Sequence, residues 1–258
     1  MADKNSKKYA TKLVNAFLKN KIIAPLPSKY TKKIFEAQKF RRFCESKIKK
    51  PIIGFKAAGT GIPMLKKLKE KEPFYASVYQ HNVLKNKKTV KINKFTLGIE
   101  LEVCYLIKKN FFDFKKTITK KNIKRFITYI APCIEVVGYR QKKKGIKSLG
   151  DLCSDFGANV KFIIGPKKKF KNQNVRSLKT ILSNTKTKQI VMGNTNTVYK
   201  DPMNSLKFVL NKLQKDKIIH NKDFYIFTGS SVGVVPILSK GVYKGQINKL
   251  GKVFAKIS

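Results

Sequence analysis

The sequence predicts an α+β fold in which N-terminal helices precede a mixed β-roll or barrel-like core. Three observations carry that reading. Apolar residues recur at helical spacing up to about residue 48. After Pro51 the texture turns to short β-like runs broken by Gly, Pro and Asn, and no internal repeat or linker divides the chain. The 258 residues are read as a single domain, with 1–51 a helical N-terminal part and 52–258 the core.

Residues 5–20 place Tyr9, Leu13, Ala16 and Phe17 on one helical face. A second helix is expected from Ser28, a candidate N-cap after Pro27, through Tyr30, Ile34, Ala37 and Phe40 to about Ile48, where Pro51 stops it. Strands are expected over 52–55, 77–79, 90–92, 95–106, 126–130 and 133–139. A helix is expected over 148–164, where Leu149, Leu152, Phe156, Val160 and Ile163 share a face. A strand at 189–192, a helix at 202–213 and a strand at 224–228 follow. The last segment, 241–257, reads as two strands with a turn near Gly251.

The formal charge of +44 comes from 58 Lys and Arg against 14 Asp and Glu. A nucleic-acid reader is not expected, because Arg41, Arg42, Arg125, Arg140 and Arg176 are the only arginines and the lysines are dispersed over the whole chain. Runs such as Lys142-Lys143-Lys144 and Lys167-Lys168-Lys169 are read as solvated loops. No apolar run is long enough for a membrane helix, and no apolar signal core precedes Tyr9, so a cytoplasmic protein is expected. Cys44, Cys104, Cys133 and Cys153 are far apart without a CxxC pair, and are read as small buried hydrophobes.

Scarcity makes the acids informative. Glu100, Glu102 and Glu135 lie inside apolar segments, and Asp151 and Asp155 follow closely. On a strand, Glu100 and Glu102 face one side about 6.6 Å apart, with Ile99, Leu101 and Val103 facing a core. Neighbouring carboxylates on a half-buried strand repel each other unless they are protonated or bridged by a cation. A hard divalent ion such as Mg²⁺ is the natural bridge. With Glu135 on a second apolar strand, the three acids read as one site for Mg²⁺ or Mn²⁺.

The ordered motifs resemble the fumarylacetoacetate hydrolase superfamily, in its 2-keto-4-pentenoate hydratase and 4-oxalocrotonate decarboxylase branch. Gly54-Phe-Lys56 followed by Thr60 is similar to that branch's Gly-aromatic-Lys segment. Glu72-Pro-Phe-Tyr-Ala76 resembles its Pro-Asp-Tyr-Gly stretch. Glu100-Leu-Glu102 and Ile134-Glu135-Val136 resemble its metal glutamates, Ser154-Asp155 its Ala-Asp-Asn, Asp201-Pro-Met-Asn-Ser-Leu206 a helix start, and Phe227-Thr-Gly-Ser230 its Leu-Thr-Gly-Ser. The sequence departs from the branch at Ala57-Ala58-Gly59, at Gly138-Tyr139 and at Phe156, all in stretches that face substrate in the family.

The resemblance implies a metal-dependent enzyme of aromatic-compound breakdown that adds water to 2-hydroxypenta-2,4-dienoate. Its alternatives are a 4-oxalocrotonate decarboxylase or a non-catalytic paralogue. It implies Glu100, Glu102 and Glu135 as metal ligands, Lys56 and Asp155 as catalytic groups, and Thr60, Arg140, Thr228, Gly229 and Ser230 as contacts to a small 2-oxo or 2-hydroxydienoic acid. A homo-oligomer is also implied. Lys56 is expected to leave its apolar strand into a Gly-rich turn, where desolvation lowers its pKa. Of the two histidines, His81 is a weak candidate for the site and His220 is expected to be bland.

Overall fold

The computed structural model describes residues 4–142 and 145–258, so Lys143 and Lys144 of the lysine run lie outside the described residues. Helix α1 (Lys4–Lys19) buries Ala10, Leu13, Val14, Ala16 and Phe17. The expected second helix is two pieces. A single 3₁₀ turn covers Ser28–Tyr30, and α2 (Ile34–Glu45) starts from an extended Lys33 that offers no side-chain cap. A tertiary contact explains the break: the Ser148 hydroxyl donates to the Thr31 carbonyl at 2.7 Å, and the Gly150 backbone packs against the same carbonyl. Ser28 therefore caps no α-helix.

The chain then runs through β1 (Ile52–Ala58), α3 (Ile62–Lys67), β2 (Phe74–Tyr79), β3 (Val83–Lys85), β4 (Thr89–Val90), β5 (Thr96–Ile107), α4 (Lys120–Ile123) and β6 (Ile127–Gly138). Next come α5 (Leu149–Ser154), β7 (Asn159–Ile164), β8 (Lys168–Lys169), β9 (Lys179–Asn184), β10 (Ile190–Asn194), α6 (Pro202–Lys215), β11 (Phe224–Ser230), β12 (Gly241–Ile247) and β13 (Gly251–Ile257). Strand β6 replaces the two strands expected around Pro132. On its outer edge it pairs β7 from Cys133 on and β8 at Tyr129–Ile130, so Pro132 falls in the gap between them. A proline's missing N–H costs no ladder bond there, and the Pro132 carbonyl accepts from Gly165 N at 2.9 Å.

The expected helix over 148–164 is corrected to one short helix and a strand. Phe156, Gly157 and Ala158 all have positive φ (52°, 70° and 58°), which a helix does not accommodate. The β-branched stretch after them then pairs with β6 on one side and β3 on the other. Strand β9 was not foreseen, although Thr180, Leu182 and Asn184 alternate inward along it.

The larger sheet has the order β2-β1-β11-β5-β6-β7-β3, with β8 on β6, and the smaller has β10-β9-β12-β13-β4. The two share one core, in which Leu101 and Ile134 meet Ile247 and Val253. Gly245 permits the close approach, since a Cβ there would lie 2.6 Å from Leu101 Cδ1. Helices α1 and α2 form a second cluster with Tyr79 and Phe156 on the other flank. All four cysteines are buried thiols. No helix among the described residues is long and apolar enough to cross a membrane.

Candidate metal centre

The site is built on four adjacent strands. In the antiparallel β5–β6 pair, Glu100 stands opposite Glu135 and Glu102 opposite Cys133. Strand β11 flanks β5, and a register shift between Phe227 and Ser230 opens its end beside Glu102. Strand β1 runs parallel to β11 with Lys56 opposite Phe227. On a flat sheet β1 and β6 would lie about 14 Å apart, at three strand spacings. The curl of the sheet and the length of the lysine close that gap: Lys56 Nζ donates to Glu135 Oε1 at 2.5 Å and to the Gly157 carbonyl at 3.1 Å.

One carboxylate oxygen from each of Glu100, Glu102 and Glu135 lies within 4.8 Å of the others. Glu102 and Glu135 are fully buried, whereas Glu100 is half-buried on the wall of a cavity. Glu102 Oε2 accepts the Gly229 N–H at 3.0 Å. The other oxygens, Glu102 Oε1 and Glu135 Oε2, are buried with no hydrogen-bond partner. Burial pushes all three carboxyls up. Glu100 reaches about 8, reinforced by Glu135 and opposed by Lys56. Glu102 reaches about 7, with Lys56 and the Gly229 N–H opposing the rise and Glu100 adding to it. Glu135 reaches about 8, with Lys56 opposing and Glu102 adding. Three converging carboxyls that resist ionisation, two of them with an oxygen that lacks a donor, are a set suited to a hard divalent cation.

Lys56 is 3% exposed and sits inside β1, not at its end. Burial works to lower its pKa, but the facing Glu135, Glu100 and Glu102 more than reverse that, so the expected lowering is corrected to a rise. The cavity, about 220 Å³, is lined by Lys56, Glu100, Thr60, Gly229 and Ser230, so five of the expected residues meet there. Gly229 has φ 101°, and a Cβ on it would fall 2.0 Å from Thr60 Oγ1. Only glycine lets the chain pass Thr60 while aiming its N–H at Glu102.

Three expected residues are placed elsewhere. The Thr228 hydroxyl donates to the Val103 carbonyl at 2.9 Å. Arg140 and Asp155 hold each other. Arg140 Nε donates to Asp155 Oδ1 at 2.6 Å and its backbone N–H to Oδ2 at 2.8 Å, while Nη2 donates to the Asp155 carbonyl and Nη1 to that of Asn159. The guanidinium also lies over Phe17 of α1 at 5.3 Å. His81 packs on Tyr79 and Phe17, and His220 packs among Phe55, Phe112 and Phe224; neither lines the cavity.

Sequence reasoning missed the Gly157 carbonyl and the ring of Phe162, 5.7 Å from Lys56 Nζ. It also missed the apolar wall. Val137 follows Glu135 by two residues on β6, so strand alternation alone would have put both on one face.

No family model matches the chain, and no curated protein matches its sequence. Solved structures do match. The 4-oxalocrotonate decarboxylase of Pseudomonas putida G7, complexed with magnesium and adipate, superposes with a TM-score of 0.84 at 19% identity, covering 100% of this chain and 99% of that one. The fumarylpyruvate hydrolase of Pseudomonas aeruginosa, in complex with Mn²⁺ and pyruvate, has a TM-score of 0.58 at 12% identity over 81% and 90% of the two chains. A Yersinia pestis CO92 protein assigned to the fumarylacetoacetate hydrolase family gives 0.56 at 14% identity over 82% and 95%. The chain has the fumarylacetoacetate hydrolase fold.

Proposed function

We propose that the protein is a divalent-cation-dependent lyase of 2-oxo acids, and that its reaction is decarboxylation of a 4-oxalocrotonate-type acid. The observation that carries the proposal is the cluster of Glu100, Glu102 and Glu135, with two buried carboxylate oxygens unpartnered beside a buried Lys56. The chain-long likeness to a decarboxylase crystallised with magnesium supports the same reading. Hydration, the first expectation from the sequence, has weaker support. It needs a base to take a proton from water, and among the described residues Glu100 is the one carboxylate on the cavity wall. Asp155, expected in that part, is bound to Arg140.

Glu100, Glu102 and Glu135 would hold the cation, and Gly229 N–H fixes the Glu102 carboxylate that does so. When bound, the cation supplies positive charge to the substrate's 1-carboxylate and 2-oxo oxygens. Lys56 brings a second positive charge to the same end of the cavity, and the hydroxyl of Thr60 is placed to orient the carboxylate, whereas the Ser230 hydroxyl donates to the Gly233 carbonyl. In decarboxylation the C5–C6 bond breaks and CO₂ leaves. Its electron pair forms C4=C5, the C3=C4 pair shifts to C2=C3, and the C2=O pair moves onto oxygen, giving the dienolate. Lys56 stabilises that charge and supplies the proton that completes 2-hydroxypenta-2,4-dienoate. Incubating the protein with 4-oxalocrotonate and with 2-hydroxypenta-2,4-dienoate, with Mg²⁺ or a chelator, tests the proposal. Metal-dependent CO₂ release from the first is expected. Hydration of the second without CO₂ release from the first would reject decarboxylation, and turnover of neither would support a non-catalytic relative.

A further inference from the structure

The wall of the cavity beyond the carboxylates and Lys56 is apolar. Met64, Leu97, Val137, Ile146, Leu152 and Val234 line it. Strand geometry fixes where two of these stand. Val137 shares the face of Glu135 and lies about 6.6 Å further along β6, and Leu97 precedes Glu100 on β5 by about 10 Å. A register shift between Thr96 and Gly98 turns Leu97 toward the cavity despite its odd spacing from Glu100. An acid whose 1-carboxylate and 2-oxo group sit at the carboxylate cluster must therefore lay its tail against Val137 and Leu97. The chain carries lysine at most exposed positions, yet among the described residues Lys56 is the one cation on this wall.

We infer that the site recognises the tail of its 2-oxo acid as an uncharged, apolar group. This rests on the proposed 2-oxo acid lyase function and adds how the site treats the group that departs. The carboxylate lost in the reaction is bound against hydrocarbon without a counter-ion, and the product, whose tail is uncharged, fits better than the substrate. A carboxylate that gives up water against hydrocarbon without gaining a partner is disfavoured. Losing it as CO₂ relieves that disfavour as the C5–C6 bond breaks, so the apolar wall favours the transition state over the bound substrate.

Calorimetric titration of the Mn²⁺-loaded protein with 2-oxohexanoate and with 2-oxoadipate tests the inference, because the two acids differ only in a methyl or a carboxylate at C6. The titrations are run at about 0.3 M salt, where screening shortens the reach of the protein's overall charge. We expect 2-oxohexanoate to bind at least tenfold more tightly. Val234→Arg, at a position 49% exposed on the cavity wall, is expected to erase that preference by giving the tail carboxylate a partner. Equal or tighter binding of 2-oxoadipate by the unmodified protein would overturn the inference and leave the 2-oxo acid reading standing. Binding of neither acid would remove both. An unchanged preference in Val234→Arg, in a protein that still binds 2-oxohexanoate, would show that the tail lies elsewhere and would also overturn it.

Discussion

Glu102→Gln should make the metal-free protein more stable at pH 8 and leave its stability near pH 4.5 unchanged. Glu102 is fully buried, and burial raises its carboxyl from 4.5 to about 7 in spite of Lys56. Between those two values the unfolded chain gives up the proton while the folded chain keeps it, so stability falls as pH rises through the window. Above about 7 both states are ionised and the full loss stands. At about 1.4 kcal/mol per unit, this one group accounts for about 3 kcal/mol. Glutamine keeps the shape and the acceptor for Gly229 N–H but has no proton to lose. Glu100 and Glu135 titrate in both proteins and Lys56, whose pKa is raised, stays charged throughout; removing the Glu102 charge also relieves Glu135, which adds to the variant's gain in the same direction. Urea unfolding in a chelator at pH 4.5, 6 and 8 reads it directly. The variant should pull ahead progressively, by about 3 kcal/mol at pH 8. A gap independent of pH, or a variant less stable than the parent at pH 8, would refute the reasoning.

Three further outcomes are expected. Lys56→Met should lower turnover by about 10²-fold, the scale of a positioned acid. Mn²⁺ affinity should be retained, because Glu135 is released for the metal, and the exposed Lys66→Ala serves as an unchanged control in the same assays. Arg140→Leu should cost about 3–5 kcal/mol by leaving Asp155 buried without its counter-ion. Its turnover per folded molecule should hold within a few-fold, whereas a large fall in kcat with unchanged melting would return the pair to the reacting centre. Binding to DNA or RNA, followed by fluorescence anisotropy, should be indifferent to sequence and fall steeply between about 50 and 200 mM salt; a tight complex with one sequence at the higher salt would contradict the compositional origin of the charge.

Much of the site was legible because acids are rare in this chain. Glu100, Glu102 and Glu135 stood out against lysine, and strand alternation placed the first two together. The pairing of β5 with β6, which sets Glu100 opposite Glu135, depends on register that no local pattern states. Lys56 was found through its motif, yet the direction of its pKa depends on three carboxylates from other strands. Arg140 and Asp155 read as site residues by motif, but the left-handed turn at 156–158 folds them onto each other. That same turn defeated the helix expected over 148–164, since Phe156 and Ala158 carry no local signal for positive φ. Ser28 failed as a cap because the chain at Thr31 is held by Ser148, more than a hundred residues away.

The metal-dependent reading of the site requires that the three glutamates bind one divalent ion. Calorimetric titration of Mn²⁺ into the parent protein and into Glu102→Ala near pH 7 decides it. The parent should take up one ion and release protons, because burial holds its carboxyls partly protonated at that pH. Glu102→Ala should show no comparable binding. Equal uptake by the two proteins would contradict the account.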